Sequence, residues 1–264
     1  MKKANIIIDQ YAKVNFNYIK NILTKEGIKP DKINYEFSVI IGGDGTFLDH
    51  AIKYNKKPLL FVRKNGEKIG SAKIKHGITA SININELETT IKKIKHGSFE
   101  LINEPVLELN YLNKKYYSAC DFYIERNNTR QAIRYKVNIL ENNTKFIVYG
   151  ISNGFIITTP LGSTGYYSYI DILNKNKPHK INNGLGFAHI LPTKITDIKN
   201  NKVLNNPNIR RIFGSKAEIT ATIIRGNPYL YGINNRKNGM KINDNAKLIF
   251  KLIKDKINII KIID

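Results

Sequence analysis

The chain has 264 residues, a hydrophobic content of 42% and one cysteine. That length suits one large domain or two modest ones, no apolar run reaches the length of a membrane span, and a lone cysteine excludes an internal disulfide and fits a reducing, cytoplasmic interior. The formal charge of +22 invites a nucleic-acid reading, but lysines spread through the whole chain among abundant Asn and Ile read as a generally basic surface. We therefore expect no specific nucleic-acid site, only a positive field that recruits anionic nucleotides.

The first third alternates strand and helix. Ala4–Ile8 reads as a buried strand, too short for a secretory signal. Tyr11 to Glu26 carries Val14, Tyr18 and Ile22, with Ile19 and Leu23 one face over, which is helical spacing stopped by Gly27. Phe37–Ile41 and Pro58–Val62 are the next strands, with a helix from Phe47 to Tyr54 between them. Asn85 to Lys95 is a short helix capped by Asn85 and stopped by Gly97. This alternation predicts a parallel, helix-covered sheet.

After Gly97 the pattern becomes β-rich. Phe99–Asn110, Lys115–Glu125, Ala132–Leu140 and Lys145–Ile151 read as strands, with Asn113-Lys114 and Asn142-Asn143 as turns. Further strands are expected at Phe155–Thr159, Ala217–Arg225, Tyr229–Ile233, Lys247–Ile253 and Ile257–Ile263. Ser163 to Leu173 is the main helical interruption. The predicted organisation is an α/β domain over residues 1–96 and a β-sandwich-like domain over 97–264, with the last residues free to return to the first.

Two strings carry the chemistry. Gly42-Gly43-Asp44-Gly45-Thr46 follows a strand and opens a helix, the geometry that holds phosphate, because glycine lets backbone approach an anion and the first helical N–H groups point at it. A plain tight turn is the bland alternative. It is not a Walker loop, since no Gly-Lys-Ser/Thr follows. Asp44 stands out, because a carboxylate repels phosphate; its place there calls for another role, such as orienting a hydroxyl or a metal. The second string is Thr159-Pro160-Leu161-Gly162-Ser163-Thr164-Gly165-Tyr166. Pro160 ends a strand, Gly162 bends the chain, Ser163 is placed to cap the next helix, and the Thr164 hydroxyl and Tyr166 ring suit a nucleoside. A capped helix with packed tyrosines is the bland alternative here.

The first turn resembles that of diacylglycerol, sphingosine and phosphofructokinase-type hydroxyl kinases. Both strings in this order resemble the NAD kinase family. The resemblance implies two domains, homo-oligomers (dimer or tetramer), ATP and NAD as substrates, and Mg²⁺ arriving with ATP. It implies Asp44 as the acid that touches the adenosine 2′-hydroxyl, and Gly42, Gly43, Gly45 and Thr46 as the ATP-phosphate turn. It implies Thr159, Ser163, Thr164 and Tyr166 as the NAD wall, joined by Cys120 and Asp121 where the family has Asn-Glu, and by Asn153 of Asn153-Gly154 where it has Asp-Gly. Asn153 brings no charge to the nicotinamide, and Cys120 lacks the paired donor and acceptor of an asparagine amide. Asn65-Gly66 with Ile69-Gly70, and Tyr231-Gly232, stand near two further family turns. The five histidines, His50, His76, His96, His179 and His189, show no metal-ligand spacing, so no protein-held metal is expected. Three alternatives stay open: a kinase of the same superfamily acting on another hydroxyl, a non-catalytic nucleotide-binding homologue and, on charge alone, a nucleic-acid-binding protein.

Overall fold

The computed structural model describes residues 1–53, 57–63, 81–128, 130–173, 175, 177, 179–233 and 238–263. They form two units, Met1–Glu104 with Lys254–Asp264, and Pro105–Ile253. The division falls inside the strand that follows Gly97, not ahead of it, and the final segment belongs to the first unit.

The first unit is built on parallel strands. β1 (Lys3–Ile8) is followed by α1 (Phe16–Lys25), the two-residue β2 (Lys29–Pro30), β3 (Phe37–Ile41), α2 (Asp44–Lys53), β4 (Leu59–Arg63), β5 (Ser81–Asn83) and α3 (Leu87–Lys95). β1 pairs with β3 from Ala4↔Phe37 to Ile8↔Ile41, β3 with β4, and β4 with β5, all parallel. Side chains alternate across a strand. Val39, Leu60 and Val62 therefore join the core formed with Ile19, Ile22 and Leu23 of α1 and Leu87, Ile91 and Ile94 of α3. Phe61 points the other way and packs on Phe47 of α2, ring centroids 4.7 Å apart. Both faces of the sheet are covered, as a parallel sheet requires.

Three predicted helix starts move, the first being α2, which begins at Asp44 and not at Phe47. α1 begins at Phe16, because Lys13 turns left-handed (φ 49°) and the Asn15 side chain accepts the Asn17 amide at 2.8 Å. Its apolar stripe is Ile19, Ile22 and Leu23, while Tyr18 is 52% exposed. Ahead of α3, Ile84–Glu86 is a 3₁₀ turn, and the Glu86 carboxylate accepts the Asn83 amide at 2.8 Å, so the helix starts from Asn83 and not from Asn85. Gly97 ends α3 with φ +79°.

The second unit is antiparallel. Its strands are β6 (Phe99–Tyr111), which enters from the first unit, β7 (Lys114–Ser118), β8 (Asp121–Glu125), β9 (Ile133–Glu141), β10 (Thr144–Thr158), β11 (Leu185–Lys199), β12 (Lys202–Val203), β13 (Arg210–Phe213), β14 (Glu218–Arg225), β15 (Tyr229–Tyr231), β16 (Met240–Lys241) and β17 (Lys247–Ile262), which runs back into the first unit. One helix, α4 (Tyr169–Leu173), follows β10. β10 organises the layers. Thr144–Ser152 pairs with β9, Gly154–Thr158 pairs with β8, and the other edge runs along β11 with a register shift at Ile151/Ser152. A strand that changes partners at a bulge bends the sheet there. Phe122, Ile124, Tyr135, Val137, Phe155, Phe187 and Phe250 fill the core.

Several expected segments merge or split. Lys145–Ile151 and Phe155–Thr159 are one strand, since the bulge lets β10 pass Asn153 without a turn. Lys115–Glu125 is two strands, interrupted at Ala119-Cys120. β11 is missing from the sequence-based expectation: Pro192 lies inside it, opposite Ser152 at the register shift, where the ladder does not need its amide. The tight turns carry paired positive φ values at Leu112-Asn113 (51° and 58°), Asn142-Asn143 (44° and 65°) and Asn200-Asn201 (46° and 67°), which matches the right-handed twist of the strands they join.

Candidate active site

In the first unit the glycine turn sits at the carboxyl ends of β1, β3 and β4, the place where parallel α/β sheets take ligands. Backbone bonds hold those ends together: the Asp9 amide donates to Ile41 O at 2.9 Å, and the Gly42 amide to Val62 O at 3.1 Å. Gly42 has a packing reason to be glycine, because a Cβ there would lie 2.9 Å from the Asp9 Cβ. Gly43 and Gly45 have none. A Cβ on either meets nothing within 4 Å, and neither φ is positive. What their bare backbone provides is open space at the start of α2, whose first amides have no intrahelical acceptors. That cradle fits a phosphate.

Two residues that the sequence did not single out complete this site. Asp9, just past β1, accepts the Thr46 hydroxyl with one carboxylate oxygen and the Tyr11 amide with the other, at 2.7 Å for the latter. The Thr46 bond first, and the Tyr11 amide second, hold the Asp9 carboxyl below its usual pKa. Arg63, the last residue of β4, places Nη2 on Asp44 Oδ1. The signal for both was positional: each is the first charged residue after an apolar strand run.

In the second unit the structure separates the predicted residues into two groups. Thr159 and Ser163 are fully buried, and their hydroxyls are engaged in holding the loop. Thr159 Oγ1 donates to Ala119 O at 2.8 Å and accepts the Gly162 amide at 3.2 Å; Ser163 Oγ donates to Pro160 O at 2.7 Å and accepts the Ile181 amide at 3.1 Å. Ser163 does not cap a helix, contrary to expectation; the next turn, Tyr166–Ser168, is 3₁₀ and starts from Gly165. The Thr159 amide donates to Cys120 O at 2.7 Å, which brings the Cys120-Asp121 corner against the second string.

The other group lies on one outward face. Asp121, Tyr123 and Glu125 alternate along β8 with the buried Phe122 and Ile124. Tyr231 of β15 stacks on Tyr123 with centroids 5.2 Å apart, and Tyr166 meets Tyr123 edge-on at 5.4 Å. The Tyr166 hydroxyl donates to Glu125 Oε1 at 2.5 Å, and burial together with that carboxylate holds the phenol protonated. Asn153 is tied to this corner by its backbone, with the Arg126 amide donating to Asn153 O at 2.8 Å. Thr164 is half-buried two residues before Tyr166, its carbonyl accepting the Ser168 hydroxyl at 3.1 Å. Burial pushes Asp121 up to about 7. Tyr123 and Glu125 were missed by the sequence reading, although the i, i+2, i+4 spacing from Asp121 was there to be read.

Comparison with known proteins shows what the chain is similar to. No family model matches the chain. A NAD kinase of Saccharolobus islandicus is 27% identical over 154 residues, 56% of this chain and 53% of that protein. A NAD kinase of Picrophilus torridus is 30% identical over 145 residues, 54% of this chain and 49% of its own length. The chain thus spans about half the length of the curated relatives it matches. Among solved structures, yeast NADH kinase complexed with NADH aligns over 100% of this chain and 84% of its own, with TM-score 0.68 and 14% identity. A NAD kinase from Archaeoglobus fulgidus in complex with ATP aligns over 98% of this chain and 93% of its own, with TM-score 0.66 and 14% identity. The chain is a divergent relative of the NAD kinase family. The likeness in fold runs the length of the chain, whereas likeness in sequence covers about half.

Against the NAD kinase pattern, the turn at Gly42–Thr46 is intact and the second unit has drifted. Cys120-Asp121 forms the corner before β8, Asn153-Gly154 lies within β10 beside its register shift, and Tyr231-Gly232 ends β15 with Gly232 at φ +89° against the Asp121 carbonyl. Asn65-Gly66, Ile69-Gly70 and His76 lie outside the described residues. Among the described residues, no group of three or more His, Cys, Asp or Glu stands together as a metal cage, and no helix is long and apolar enough to cross a membrane. His189, read from sequence as ordinary, is fully buried. The Tyr135 hydroxyl meets its Nδ1 at 2.5 Å, and burial lowers its pKa to about 4, so the ring is neutral near pH 7.

Proposed function

We propose that this protein is an NAD kinase, transferring the γ-phosphoryl group of ATP to the adenosine 2′-hydroxyl of NAD to give NADP. The observation that carries this reading is the bare Gly43 and Gly45 backbone flanking Asp44 at the carboxyl ends of a parallel sheet. Phosphoryl transfer is mostly positioning and charge neutralisation. The turn Gly42–Thr46 cradles the donor phosphates with the first amides of α2. Asp44 orients the acceptor hydroxyl and takes its proton as the oxygen attacks. Mg²⁺ arriving with ATP would supply neutralising charge to the phosphates, which would themselves hold it.

The second unit recognises NAD. Tyr166, Thr164, Asp121, Cys120 and Asn153 are the contacts, and Thr159 and Ser163 act by bracing the loop that carries them. The resemblance further supports a cytoplasmic homo-oligomer, either a dimer or a tetramer. The test is an assay of purified protein with ATP, Mg²⁺ and NAD, reading NADP. NADP formation that depends on ATP supports the assignment; ATP binding without any NADP would replace it with another hydroxyl acceptor or a binding-only role.

A further inference from the structure

The sequence poses a problem that the fold answers. Asp44 sits in the middle of a turn shaped for anions, and an exposed carboxylate there opposes the very phosphates the turn would hold. Among the described residues, its ion-pair partner is Arg63. The two side chains meet because their elements meet twice. Phe47 is one turn after Asp44 on α2, and Phe61 is two residues before Arg63 on β4, so each pair shares a face. Phe47 packs on Phe61, and above that contact Asp44 Oδ1 takes Arg63 Nη2. The Arg63 guanidinium also lies 4.9 Å from the Phe61 ring centroid, which fixes its plane. Both charged side chains keep access to solvent, with 41% of Asp44 and 27% of Arg63 exposed.

We propose that Arg63 is a positioning residue for Asp44: it fixes the direction of the carboxylate and cancels its charge toward the incoming phosphates. This rests on the kinase reading of the same turn. Arginine suits the task, because its rigid fork binds a carboxylate directionally, whereas lysine offers a movable point charge. Without Arg63 the carboxylate turns freely and its full charge faces the donor. Coupling between contacting charged residues is typically worth a few-fold to about a hundredfold in affinity.

The test is a double-mutant cycle on the full chain, with Arg63→Met, Asp44→Asn and both together, reading Mg-ATP affinity by calorimetry and NADP formation separately. Thermal melts establish that each variant is folded. Arg63→Met should weaken ATP binding about tenfold, and Asp44→Asn in the same chain should restore most of that loss, because the unopposed charge is gone. In turnover, Arg63→Met should lower kcat with the KM for NAD little changed, and Arg63→Lys should recover ATP affinity better than kcat. Additive effects on ATP affinity, or unchanged ATP binding in Arg63→Met, overturn the proposal. If the cycle couples but no variant, wild type included, makes NADP, the positioning role stands and the NAD kinase reading falls. If wild type makes NADP and the cycle is additive, the reverse holds. A wild-type chain that does not bind ATP overturns both.

Discussion

The two units place their family-like strings under opposite physical demands. In the first, Gly43, Asp44 and Gly45 are not needed for packing: no neighbour crowds the glycines, and the Asp44 carboxylate stands partly exposed. In the second, Thr159, Gly162 and Ser163 are locked into the scaffold, with both hydroxyls engaged and Gly162 pressed on Thr158 and Cys120. The same degree of motif resemblance therefore means different things. Residues that the fold does not need are the ones whose substitution tests a ligand role; residues that the fold needs report mainly on the loop they hold. Substitutions in the two strings should separate into losses of activity and losses of stability.

The largest separation is expected at Asp44. Asp44→Asn keeps the shape of the side chain, so the melting temperature should stay close to wild type. NADP formation should fall by about two to four orders of magnitude, the range for a lost acid–base partner. Near-normal turnover in this variant would remove Asp44 from the chemistry and leave the first unit with a phosphate turn only.

Gly162→Ala should do the reverse. A Cβ there lies 2.5 Å from Thr158 Oγ1 and 2.7 Å from Cys120 O, and the second of these is backbone that cannot rotate away. Overpacking of this kind costs about 1–3 kcal/mol. Urea titration should show that loss in the midpoint, and an unchanged midpoint would mean that the corner between β8 and β10 yields easily.

The legibility of the chain follows the same division. Signals carried by contiguous residues came through: the buried run Phe37–Ile41, the Gly97 stop, the Asn142-Asn143 turn and the glycine turn that joins β3 to α2. Signals that depend on a partner distant in sequence did not. β11 was hidden because Pro192 reads as a breaker until its place opposite a register shift is known. Arg63 and Asp9 looked like ordinary strand-end charges, because nothing local says that three strand ends converge on one turn. Tyr123 and Glu125 read as mere alternation until β15 and the loop at Tyr166 close over the same face. The Ser163 hydroxyl was assigned to the nearest helix, the local choice, when its partners are Pro160 and Ile181.

A smaller effect sharpens the contrast from the side of the first unit. Gly43→Ala adds a methyl group to open space at an ordinary φ. Stability should stay level or rise by about 0.4–1 kcal/mol, because alanine restricts the unfolded chain. The affinity for ATP should fall all the same, since the methyl occupies the cradle. If ATP binds Gly43→Ala as tightly as wild type, the phosphates do not approach this backbone.

A pH-dependent effect is expected in the wild-type protein, where two opposed groups of the second unit leave only a small net slope. His189 has a folded pKa of about 4 against 6.5 for a free histidine. Between those values the unfolded chain binds the extra proton, so this group makes stability rise with pH and withdraws it as pH falls from about 6.5 toward 4. Asp121 has a folded pKa of about 7 against 3.8. Here the folded chain binds the extra proton, so the stability contribution is complete below about 3.8 and is lost as pH rises through about 7. Each slope is roughly 1.4 kcal/mol per pH unit, and the signs are opposite, so across about pH 4 to 6.5 they offset. Asp121→Asn removes the falling slope and leaves every other carboxylate in place. The difference between variant and wild type should be small at pH 4 and should grow in favour of the variant up to about pH 7, as read from urea midpoints along the series. Parallel curves for the two proteins across that range would show that Asp121 ionises as freely in the folded chain as in the unfolded one.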